Sequence, residues 1–155
     1  MTETLFAPEP DSATVVTMPR SLGVQLPLPP TANHIWSIFG NRMHRTTVYK
    51  KWLAHCTDIL ADEMQPVEGP VAIEITLVLG KGCPVSRDLD NCIKPVIDLL
   101  KPCKYDRNGK LTSSGAAIIK DDDVRIVRRI TAQVLPAYDK KSEAEFWISV
   151  TEVRQ

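Results

Sequence analysis

The residues of this chain best suited to chemistry are carboxylates set at short intervals around a lysine, in Arg87-Asp88-Leu89-Asp90-Asn91-Cys92-Ile93-Lys94-Pro95-Val96-Ile97-Asp98. Two acids one residue apart in an extended or turn conformation can point the same way. Hard divalent cations such as magnesium take carboxylate oxygens while keeping several waters. Without a counter-charge such a pair repels itself, so a metal or a nearby lysine is the natural counterweight. Lys94 is spaced to be that lysine, and on a helix Asp98 follows it one turn later. The same spacing also suits a purely structural arrangement, in which Asp88 or Asp90 caps a helix and Lys94 with Asp98 forms an exposed ion pair.

A second acidic run, Asp121-Asp122-Asp123, stands immediately before an apolar stretch. Such a run is ordinarily a solvated turn, yet from a neighbouring strand it can bring a further carboxylate to the same metal. Bases gather at Arg42, Arg45, Lys50 and Lys51, at Lys101, Lys104, Arg107 and Lys110, and at Arg125, Arg128 and Arg129. Three basic clusters around an acidic centre fit a groove for a phosphate backbone. Asp106-Arg107-Asn108-Gly109 is not a calcium loop, because its glycine comes too early and no glutamate closes it. His34, His44 and His55 have no Ser or Cys partner in a nucleophile setting. Cys56, Cys83, Cys92 and Cys103 form no CxxC pair and lack histidines at ligand spacing, so they read as reduced thiols.

The elements that must position these groups follow from periodicity. Leu22, Val24, Leu26 and Leu28 alternate along a short strand, and Pro27 suits an edge position because it cannot donate to a ladder. Tyr49, Trp52, Leu53, Cys56, Ile59, Leu60 and Met64 recur at helical spacing, with Thr46 or Thr47 as N-cap. Val71 to Leu79 alternates as a half-buried strand closed by Gly80 and Gly82. A second helix runs from about Asn91 to Lys101 on the stripe Ile93, Val96, Ile97 and Leu100, and Pro95 limits how early it begins. Pro102 to Lys120 reads as a long flexible excursion or a small hairpin around Asn108-Gly109. Val124 to Leu135 and Glu145 to Val153 then read as two strands, neighbours in antiparallel pairing. This is an α/β (α+β) arrangement: one domain, a mixed sheet of about four strands and two main helices packed on it.

Length and composition set the frame. The chain has 155 residues, 43% of them hydrophobic and 25% charged, which suits one globular domain and excludes a second catalytic one. No apolar run approaches the roughly 18 residues of a membrane span. Residues 1 to 20 are rich in Pro, Ser, Thr and acids and read as a mobile leader, with the folded domain over residues 21 to 155. The start lacks the basic and then apolar pattern of a secretion signal, so a cytoplasmic location is expected. Nineteen bases balance nineteen acids, so binding of nucleic acid would depend on local patches rather than on net charge.

At its acidic centre the chain resembles the RusA family of Holliday junction resolvases. The matching pieces are Leu26-Pro27-Leu28-Pro29-Pro30-Thr31-Ala32-Asn33, the stretch from Arg42 to Trp52, the core Asp88-Leu89-Asp90-Asn91-x-x-Lys94-x-x-x-Asp98, and the later acids before a strand. The similarity spans about Val24 to Val153. It implies a homodimeric, magnesium-dependent endodeoxyribonuclease that binds four-way DNA junctions and nicks two opposed strands. It further implies Asp88 and Asp90 as metal-binding acids, Lys94 as the catalytic lysine, and Asp122 or Asp123 as the remaining acid. Asp123 is the better match, because Ile126 then falls at the apolar position three residues after the family's acidic pair. Asn33, Arg42, Arg45, Lys50 and Arg87 are the expected DNA-contact residues. The chain departs from the family in its longer 102–120 segment and its neutral net charge, which leaves other branched DNA open as substrate. A noncatalytic DNA-binding or phage-assembly module is the alternative from a different class.

Overall fold

A computed structural model describes residues 23–83, 87–137 and 141–153. The expected leader, residues 1 to 20, lies outside the described residues. Strand β1 (Val24–Leu26) is followed by a 3-10 turn (Ala32–His34) and a hairpin of β2 (Trp36–Phe39) and β3 (Arg42–Arg45). Helix α1 (Thr47–Glu63) leads to β4 (Val71–Val78), and a 3-10 turn at Asp90–Cys92 runs into helix α2 (Ile93–Leu100). A second hairpin, β5 (Pro102–Tyr105) and β6 (Leu111–Ala116), precedes the long strands β7 (Val127–Leu135) and β8 (Glu145–Glu152).

The architecture is mixed α/β with one domain: a four-stranded sheet in the order β1-β8-β4-β7 carries both helices. β4 pairs parallel to β7 and antiparallel to β8, so β7 and β8 flank β4. The sequence expectation of β7 and β8 as antiparallel neighbours is therefore corrected. β4 is also buried almost throughout rather than on one face, because it is enclosed by strands on both sides and by side chains above and below. Pro27 does follow an edge strand, since β1 pairs with β8 alone.

Val71, Ile73, Ile75 and Leu77 of β4 meet Tyr49, Trp52, Leu53, Cys56 and Leu60 of α1, with Phe146 and Ile148 of β8 completing the core. The Thr46 side chain accepts from the Tyr49 amide at 3.2 Å, which fixes where α1 starts. Burial pushes the Cys56 thiol up to about 12, so this cysteine is an inert core residue. α2 is buried on every side from Pro95 to Leu100, not along one stripe, because α1, β6 and the common hydrophobic core enclose it. Of the two sequence readings of the 102–120 segment, the small hairpin around Asn108-Gly109 is the one the structure shows, and the flexible excursion is not. Asp106 Oδ1 accepts from the amides of Asn108 and Lys110 at 2.8 and 2.9 Å, and Gly109 at φ +76° closes the turn. Gly115 lets β6 approach the end of α2, since a Cβ there would collide with the Lys101 carbonyl oxygen. Among the described residues no helix is long and apolar enough to cross a membrane.

Candidate active site

The end of the sheet beside α2 brings the singled-out acids and lysine together around a buried carboxylate. Asp98 sits on α2 with its side chain 5% exposed and faces three cations. Lys94 Nζ donates to Asp98 Oδ1 at 2.6 Å, Lys101 Nζ lies 3.4 Å from the same oxygen, and Arg45 Nη2 lies 3.6 Å from Oδ2. The Tyr49 hydroxyl donates to Oδ2 at 3.0 Å. The Lys94–Asp98 pair is thus not the exposed helix-surface pair that spacing alone allowed. Its acid is the centre of a network joining α1, α2 and the β3 end.

Burial by itself would raise the pKa of Asp98, but the bonded Lys94 ammonium, the Tyr49 hydroxyl and the charge of Lys101 outweigh it and hold the carboxyl below its ordinary range. Burial likewise opposes the charge of Lys101, and its bonds to Asp122 and Asp98 outweigh that and raise its pKa. Tyr49 is raised by burial first and by the Asp98 charge second, so it remains a neutral donor. The sign of the linkage follows. A depressed acid stabilises the fold above its unfolded pKa of about 3.9 and loses that contribution as pH falls through the lower folded value. Asp122, depressed by its bond to Lys101, acts in the same sense. Scanning calorimetry is expected to show a melting temperature that drops below about pH 4. That acid limb should be shallower in Asp98→Asn, and a limb unchanged by the substitution would remove Asp98 as its source.

Lys101 is the site residue that sequence reasoning missed. Sequence position places it with Lys104, Arg107 and Lys110 in a basic cluster, yet it is 8% exposed and its Nζ bridges Asp98 and Asp122, the latter at 2.8 Å. The only sequence signal was its position at i+3 from Asp98, on the continuation of an apolar helix.

A cleft of about 400 Å³ opens beside this network, lined by Asp90, Lys94 and Asp122 and walled by Ile93, Ile97, Val127 and Ile130. Asp90 comes from the 3-10 turn that starts α2, Lys94 from its first turn, and Asp122 from the segment leading into β7. The other two sequence candidates stand apart from the lining. Asp88 is exposed and accepts from Asn91 Nδ2 at 3.2 Å. Asp123 is gripped by Arg125, whose Nη2 and Nε donate at 2.8 and 3.2 Å, and its carboxylate also accepts from the Arg125 amide at 2.7 Å. These bonds hold its pKa down to about 2 and make it the residue that turns the chain into β7. The geometry therefore places Asp122, rather than the sequence-preferred Asp123, on the cleft.

Among the described residues no three His, Cys, Asp or Glu side chains converge closely enough to form a metal cage. Magnesium seldom needs one, being held through one or two carboxylates with water and substrate phosphate in the remaining positions. Asp90 and Asp122 on one cleft are a donor set of that kind.

The expected DNA-contact residues divide into two groups. Asn33, Arg42 and Lys50 are exposed. Arg45 is committed elsewhere: besides Asp98 and the Ser113 hydroxyl, its guanidinium lies 5.5 Å from the ring centres of Trp36 and Tyr49. Arg87 is half-buried and donates to the Pro29 carbonyl at 2.7 Å, tying the site turn to the chain after β1. Arg45 is a positioning group, because an arginine spent on internal acceptors has few donors left for phosphate, whereas the buried Nε of Arg87 has no partner among the described residues.

No family model matches the chain, and no curated protein is similar enough to it to count as a relative.

Proposed function

We propose that the chain is a magnesium-dependent endodeoxyribonuclease that nicks branched DNA, with four-way junctions as its substrate, and that it works in the cytoplasm as a homodimer. One observation carries the reading: Asp90, Lys94 and Asp122 line a single cleft, with a buried Asp98 behind it holding both lysines. The resemblance in the Asp88 to Asp98 motif supports the same chemistry.

In this reading Asp90 and Asp122 hold the metal, which when bound supplies a Lewis acid for the phosphate and an acidified water. Lys101 orients Asp122 through its 2.8 Å bond and so sets where that carboxylate points. Lys94, at the cleft surface with its side chain 57% exposed, places an ammonium against the phosphate oxygens where negative charge develops. Asp98 keeps that ammonium aimed through their 2.6 Å bond. The walls Ile93, Ile97, Val127 and Ile130 give the acids a partly apolar surround, in which each charge interaction is stronger than in open water. The described residues of each chain form one such cleft, so paired nicks in opposed strands need two copies related by a two-fold axis.

Asp122 and Asp123 separate this reading from a structural role for the acidic run. On a four-way junction with magnesium, Asp122→Asn is expected to cut at least ~10²-fold more slowly, while Asp123→Asn keeps most of the parental rate at temperatures where it is folded. Equal activity of Asp122→Asn and the parent would take the cleft out of the chemistry.

A further inference from the structure

The β2–β3 hairpin exposes apolar side chains that the core does not use. Ile38 is 78% exposed, Phe39 83% and Met43 62%, on a ribbon turned by Gly40-Asn41 with Gly40 at φ +60°. Its base is fixed to the site. Thr46 N donates to the Ile35 carbonyl at 2.9 Å, the Thr46 hydroxyl donates to the His34 carbonyl at 2.7 Å, and Arg45, the last hairpin residue, reaches Asp98. The tip is therefore a rigidly rooted projection from the network that holds Lys94.

Charge identifies the partner. Between residues 23 and 57 there is no Asp or Glu, while Arg42, Arg45, Lys50 and Lys51 are all basic. Phe39 stands directly opposite Arg42 across the hairpin, so an exposed ring and an exposed guanidinium share one end of the ribbon. A partner that suits both is polyanionic and offers flat apolar faces, which describes nucleic acid with bases freed from their stack. A second copy of this chain suits it less well. A two-fold contact through the hairpin would bring the two sets of bases together with no carboxylate between them.

We infer that the hairpin tip reads the branch of the DNA: Phe39, supported by Ile38, stacks on a base unpaired at the junction while Arg42 holds an adjacent phosphate. This rests on the branched-DNA reading and adds to it the element that tells a branch from continuous duplex. The stacked base is the source of discrimination, because a linear duplex offers no open face.

The full-length protein without magnesium, titrated against a synthetic four-way junction and a linear duplex of the same sequence, provides the test, with light scattering on each variant. Phe39→Ala is expected to lower the preference for junction over duplex by about tenfold or more, to leave duplex affinity and oligomeric state as in the parent, and to be rescued by Phe39→Trp. An unchanged preference in Phe39→Ala overturns the inference. So does conversion of a dimer to a monomer, which would make the tip a self-association surface. A parent protein with no preference for the junction fails earlier, at the branched-DNA reading itself, and is told apart from the first case by that titration alone.

Discussion

Asp90→Asn is expected to fold as the parent does, bind a four-way junction, and cut it at least ~10²-fold more slowly at saturating magnesium. The three parts of this result have separate causes. Asp90 is exposed at the start of the 3-10 turn and contributes nothing to the core, so its melting temperature should stay near the parental one, surface substitutions being usually within about 0.5 kcal/mol. Affinity should hold or rise slightly, because removing a negative charge from the cleft reduces repulsion of phosphate. The rate should fall because one of the two carboxylates proposed to hold the metal becomes a neutral amide. Single-turnover cleavage with a thermal melt on the same sample checks all three. A parental rate in a folded variant would mean that the Asp90 charge is irrelevant to catalysis.

Asp98→Asn is expected to lose both stability and activity, for a different reason. Its carboxylate is buried against Arg45, Lys94 and Lys101, and taking away its charge leaves Arg45 and Lys94 without this counter-ion and Lys101 with Asp122 alone. Breaking a buried ion pair by removing one partner typically costs about 3–5 kcal/mol, and a network with three partners belongs at the upper part of that range unless Lys94 swings out to water. Lys94 is free to do so, being more than half exposed, whereas Lys101 is not. The loss should therefore be carried mainly by Arg45, since Lys101 keeps its 2.8 Å pair with Asp122. Asn at 98 also presents an amide in place of one acceptor oxygen, so the Tyr49 hydroxyl or Lys101 loses a good partner. Urea denaturation measures the loss, and cleavage at a temperature where the variant is folded measures what the positioning of Lys94 is worth. Parental stability would show that the buried network is energetically neutral.

Much of this site was legible because its residues are close in sequence. Asp90, Lys94 and Asp98 fall on one turn-and-helix segment, and helical geometry alone brings the last two together. The helices and the sheet strands could be read from period and punctuation: the Tyr49 to Met64 stripe, the alternation from Val71, and the pairs of glycine and proline between them. What could not be read was long-range. That β4 lies between β7 and β8 depends on a parallel crossover, which no local pattern records. The burial of Lys101 depends on Gly115 bringing β6 against the end of α2. The choice between Asp122 and Asp123 turned on Arg125, which takes Asp123 into a local turn. Family spacing favoured Asp123, whereas Asp122 lines the cleft and is bonded to Lys101. The β2–β3 hairpin was missed although Gly40-Asn41 is a turn dipeptide, because its flanking strands do not alternate apolar with polar.

Single-turnover cleavage of an end-labelled four-way junction by the parent and by Asp90→Asn, each with magnesium and with the chelator EDTA, tests the central claim most directly. The parent is expected to produce paired nicks in opposed strands with magnesium and none with EDTA, and Asp90→Asn to bind the junction and cut it at least ~10²-fold more slowly with magnesium and not at all with EDTA. Cleavage by the parent in EDTA, or junction binding with no cleavage at any magnesium concentration, would contradict it.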